Sequence, residues 1–125
     1  MKNVRAILTQ SLELASANKP REALSIIDKG IDTALRESDT HCIASLSKQA
    51  GVISYSGIGD IGKAKEYYEL ALEYNFEPDP YLHLALGDIC TDLNESALAK
   101  QHYKTGYELA KKANDADLME LLSKN

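Results

Sequence analysis

The sequence predicts an all-α fold built from helix pairs. Three observations carry that expectation. One segment recurs three times without gaps, apolar residues fall at three- and four-residue steps, and Gly or Asn opens each recurrence. The recurring segments are NKPREALSIIDKGIDTAL (18–35), GDIGKAKEYYELALEYNF (59–76) and NESALAKQHYKTGYELAK (94–111). The first step, Asn18 to Gly59, is 41 positions, and the second, Gly59 to Asn94, is 35.

The first helix is expected in VRAILTQSLELA, where Arg5, Gln10 and Glu13 interrupt the apolar residues. Those interruptions also make it a poor signal peptide, which needs an unbroken apolar stretch. Pro20 then suits the first turn of the second helix, where the missing N–H costs nothing. Along the three recurrences Ala23, Ala64 and Ala99 coincide, as do Ile27, Tyr68 and Tyr103, and Gly30, Ala71 and Gly106. A small, a large and a small residue four and three apart form one helix face, on which a neighbouring helix can come close. Ser38 and Asp39 are N-cap candidates for the third helix, and HCIASLSKQAGVISYS continues it. Leu14, Tyr55 and Cys90 coincide under the same shifts. The longer first step places an insertion in the first B helix or in the loop before His41. Asp79-Pro80 caps and opens the helix of PYLHLALGDICTDL. In the tail, Asp115, Leu118 and Leu122 repeat Asp79, Leu82 and Leu86, and polar Glu120, Ser123 and Lys124 suit a short helix closing the stack.

These positions resemble the tetratricopeptide repeat. Leu86-Gly87, Ala99 and Tyr103 fit its consensus in the third repeat, and Tyr55, Gly59-Asp60, Ala64, Tyr68 and Ala71 in the second; the first retains Ala23. The consensus tryptophan is absent. The resemblance implies an α-α superhelix of about three helix pairs plus a C-terminal capping helix. One repeat domain over 1–125 is expected, divided at 1–37, 38–77, 78–113 and 114–125.

GIGDIG (57–62) matches the dinucleotide fingerprint G-x-G-x-x-G, but that motif needs a parallel sheet. GVISY sits inside a helical period, and YLHLAL aligns with the first helix of its neighbours, so no sheet can be built. Gly59 instead aligns with Asn18 and Asn94, the residue types that most readily adopt positive φ, and so marks a helix–helix corner capped by Asp60. Gly57 and Gly62 have no counterparts.

Chemistry is sparse. His41, His83 and His102 lie in three segments, and are read as surface imidazoles. Cys42 and Cys90 stand apart, as buried thiols of a reducing cytoplasm would. Tyr68 and Tyr103 fall on the packing face, and Tyr67 and Tyr107 off it, as candidate surface anchors. Lys100, Lys104, Lys111 and Lys112 enrich the last B helix, chiefly as a solvated face. No catalytic set, metal or cofactor is expected. A net charge of −5 argues against general affinity for nucleic acid, and no apolar run reaches membrane-spanning length.

The resemblance further implies that the first helix of each pair lines a concave surface. Register puts Arg5, Leu8 and Leu12 there, with Gln49, Ile53 and Ser56, then Tyr81, Leu84, Asp88 and Thr91. Family members that grip a peptide carboxylate use basic and amide residues where this chain has Leu8, Leu12, Ala50, Tyr81 and Leu84 or Ala85, so that role is not expected. The expected function is a non-enzymatic adaptor or chaperone-like module that binds a peptide or helix of a partner protein. The alternatives are a self-associating structural unit, hence a homo-oligomer, and, third, a peptide-sensing regulatory domain.

Overall fold

The computed structural model describes residues 3–123; Lys124 of the expected closing helix lies outside them. Among the described residues every regular element is a helix. In order these are α1 (Val4–Ser16), α2 (Pro20–Arg36), α3 (Thr40–Val52) with a π-helical continuation (Ile53–Ile58), α4 (Ile61–Tyr74), α5 (Pro80–Asp92), α6 (Ser96–Lys112) and α7 (Ala116–Ser123). The helices fall into two compact units, Met1–Asn75 and Phe76–Asn125.

Four corners share one backbone solution. Asn18, Ser38, Asn94 and Asn114 are left-handed, with φ of 62°, 54°, 61° and 55°. At each, the next N–H reaches back five residues: Lys19 to Leu14 O, Asp39 to Ala34 O, Glu95 to Cys90 O and Asp115 to Ala110 O, at 2.8–3.0 Å. This is the Schellman ending, which satisfies carbonyls that the last helical turn orphans. Ser38 is therefore a corner residue and not the cap of α3; Asp39 alone caps it, accepting from Cys42 N at 3.2 Å. Asp60, Asp79 and Asp115 cap α4, α5 and α7 by the same means, accepting from Lys63 N, Tyr81 N and Leu118 N.

Gly59 forms the fifth corner, with φ 80°. Here the reach is one residue longer, Asp60 N to Ser54 O at 2.9 Å. The cause is the π segment, whose i→i+5 bonds take up one more residue per turn than an α-helix. This corrects two expectations. The insertion is neither in α2, which at 17 residues equals α6, nor in the loop before His41. It lies mainly in the second A helix, where 13 α-helical residues are followed by six π-helical ones, against 13 in α5. Upstream of the π segment the gapless alignment is also one residue out, so Gly51 corresponds to Gly87.

That correspondence is the basis of the packing. A Cβ on Gly51 would lie 2.8 Å from Cε2 of Tyr68, and one on Gly87 would meet the Tyr103 ring closer still. Each tyrosine of a B helix thus lies flat against bare backbone of its A helix. The predicted stripe is the buried one: Ala23, Ile27, Ala64 and Ala71 are fully buried, and Tyr68, Ala99 and Tyr103 nearly so. Tyr67 is buried as well, against the expectation of a surface anchor. Its ring joins the core of Ile27, Ile31, Leu46 and Ile53, and its hydroxyl donates across to Asp28 of α2. Burial, then that hydrogen bond, push the Tyr67 phenol well above its ordinary pKa. Gly57 resolves in the same way: a Cβ there would stand 3.0 Å from Pro20 Cβ, so it lets the π segment approach the start of α2. Gly62 meets only Asp60 Oδ1 at 3.9 Å.

Gly87→Ala should therefore cost about 1–3 kcal/mol in urea unfolding, because a buried ring must move. Gly62→Ala, at an open helical position, should be neutral or gain about 0.5 kcal/mol.

Candidate functional site

In the first unit, α1 and α3 present a cleft of about 410 Å³. Leu12, Ala15 and Ser16 line it from α1, Pro20 from the start of α2, and Gln49, Val52, Ile53, Ser56 and Gly57 from α3 and its continuation. Leu12 is 53% exposed and Val52 44%, whereas Ile53 is buried and forms the floor. Three expected site residues, Leu12, Gln49 and Ile53, therefore meet at one place. Val52 was missed, although it lies three positions after Gln49 on the same helical face. Leu8 instead packs on the core of this unit. Arg5 is exposed and lines a shallower surface of α1 with Asn3, Ala6, Thr9, Gln10 and Glu13.

In the second unit, Tyr81 is 59% exposed, and its hydroxyl donates to Asp115 Oδ2 at 3.4 Å. Leu84 is half-buried against the cluster of Cys90, Ala99, Tyr103 and Leu118. Asp88 is exposed but engaged: Tyr103 donates to its Oδ1 at 2.6 Å. Thr91 Oγ1 lies 3.3 Å from the same phenol and donates to Gly87 O at 2.9 Å. Burial first, then the bond to Asp88, push the Tyr103 phenol up to about 12. It is a fixed donor at neutral pH, and holds Asp88 toward its own helix pair.

The histidines are not all surface imidazoles. His83 of α5 and His102 of α6 bring their Nδ1 atoms to 3.1 Å. Their ring centroids are 5.4 Å apart, longer by about one ring diameter, so the two nitrogens face each other in line. One Nδ1 must carry a proton and the other a lone pair. An N–H and a lone pair aimed at one another do not converge on a third point, as metal chelation requires. Among the described residues no three His, Cys, Asp or Glu side chains gather as a metal site. Neither cysteine forms a disulfide, and both are buried.

The Tetratricopeptide repeat family matches residues 53–78 and 80–112. Those two segments, just under half of the chain, carry tetratricopeptide repeats. The first match begins at Ile53, where the π segment starts. The second covers α5 and α6 together. No curated protein matches the chain. Tetratricopeptide repeats generally mediate protein–protein interaction and are typically non-catalytic. No described helix is long and apolar enough to cross a membrane.

The histidine pair predicts a pH dependence. Burial, then His102, lower the His83 pKa, while Asp79 opposes them. A histidine depressed in the folded state stabilises fully above the unfolded value of about 6.5, and that contribution is lost as pH falls below it. Urea midpoints should drop between about pH 7.5 and pH 5.5, and His102→Gln should flatten that slope.

Proposed function

We propose that this repeat protein is a non-enzymatic adaptor or chaperone-like module, holding an apolar segment of a partner protein in the α1–α3 cleft. One observation carries this: Leu12 and Val52, both large and apolar, stand exposed on opposite walls of the cleft. Exposed apolar side chains that face one another across a concavity are a common mark of a docking site. Gln49 and Ser56 add polar groups able to orient backbone or side chains of the guest. A helix or an extended peptide with one or two apolar anchors suits these dimensions. In the second unit, exposed Tyr81 offers an anchor of its own. The proposed setting is a reducing compartment such as the cytoplasm, in keeping with two buried cysteines outside any disulfide.

Val52→Asp keeps an exposed position exposed, and so should preserve the helical circular dichroism spectrum. It should weaken capture of the physiological partner about tenfold or more, as loss of a central anchor does. The readout is quantitative pull-down from the source cells with mass spectrometry, wild type against variant. Equal recovery of every enriched protein would exclude the cleft. Concentration-dependent light scattering abolished by Val52→Asp would instead make a second copy of this chain the occupant.

A further inference from the structure

We propose that the cleft between α6 and α7 is a second docking surface, one that takes a short acidic segment of a partner protein carrying an apolar anchor. Lys100, Tyr103, Lys104 and Tyr107 follow one another at steps of three and one along a single flank of α6. With Leu122 and Ser123 of α7 they border a shallow, open depression of about 350 Å³. The floor is apolar and fixed by packing. Leu122 and Tyr103 are both buried, and α7 approaches so closely that a Cβ on Gly106 would lie 3.0 Å from Leu122 Cδ2.

The rim is positive. Lys100 and Lys104 are exposed and one helical turn apart, roughly 6 Å along the axis. Neither has an ion-pair partner among the described residues, unlike Lys63, which reaches Glu66 at 3.6 Å. Two lysines outside any close ion pair, beside an aromatic and aliphatic floor, thus occur on a chain whose net charge is −5. That combination selects the occupant. A long polyanion or an anionic membrane needs a broad basic surface and would meet repulsion from the rest of this chain. A short segment does not. Carboxylates four apart on a helix, or two apart on an extended peptide, match the lysine spacing, and an intervening Leu, Phe or Tyr reaches the floor. Exposed ion pairs alone are weak, so the anchor is part of the requirement.

The test is selection of a random dodecapeptide display library on the full chain, followed by fluorescence anisotropy with the enriched peptides synthesised in blocked form. Enrichment of paired Asp or Glu around an apolar residue is expected. Affinity should fall about tenfold or more in the double variant Lys100→Glu, Lys104→Glu, and should weaken as salt is raised. Lys100→Gln with Lys104→Gln should show a smaller loss, and Lys29→Glu none. Tyr107→Ala should weaken binding without changing the salt dependence. Absence of acidic enrichment would overturn the proposal, as would acidic peptides that bind the double variant equally well. Tighter lysine-dependent binding of single-stranded RNA or phosphatidylserine vesicles than of any selected peptide would overturn it too.

Discussion

The tyrosine ring laid against a glycine is the contact on which the helix pairs depend. In α5–α6 the ring of Tyr103 occupies the space where a side chain of residue 87 would be, and in α3–α4 Tyr68 does the same at Gly51. A large flat residue facing a missing one brings two backbones close while leaving little void, which is how a small repeat reaches interior packing density. The contact also has a polar end in the second unit. Tyr103 crosses Gly87 and donates a hydrogen bond to Asp88 on the exposed side of α5, with Thr91 beside it. An acid exposed on α5 is thereby tied to the core. The first pair has no such tyrosine, and Ile27 fills the equivalent space.

Corners carry the second constraint. Connections this short return the chain against its own helix only if one residue is left-handed and the next N–H reaches the last free carbonyls. Asparagine, serine and glycine all serve, at Asn18, Ser38, Gly59, Asn94 and Asn114. An aspartate follows at three of the five, and turns the end of one helix into the capped start of the next. The glycine fingerprint at 57–62 dissolves under this geometry. Gly59 is the corner, Gly57 clears Pro20, and Gly62 is an ordinary helical position.

Function follows from what these contacts leave uncovered. Where α1 and α3 meet, the π segment widens one helix and Leu12 and Val52 stay in solvent around a buried Ile53. Where α7 ends against α6, two lysines flank an aromatic floor. The two surfaces differ in chemistry, one apolar and one basic with an apolar base. A module presenting both would discriminate among partners by charge as well as by shape.

The sequence alone determined the helix pairs, their order, the buried stripe of Ala, Tyr and Gly, and the caps at Asp60 and Asp79, because each is a local matter of spacing and side-chain reach; between Ser38 and Asp39 the left-handed corner decided. Leu12, Gln49 and Ile53 could be placed on neighbouring A helices from register, but which of them stays in water could not. Ile53 sinks and Val52 emerges because a π turn rotates the helix, and its i→i+5 bonds leave no mark in residue type. Tyr67 lies off the stripe in a helical projection, yet is buried because α2 brings Asp28 to its hydroxyl. His83 and His102 share no sequence motif, and meet only because α5 and α6 pack closely. Contacts between residues distant in the chain depend on how far each helix turns and how near its neighbour stands, and only the tertiary structure decides both.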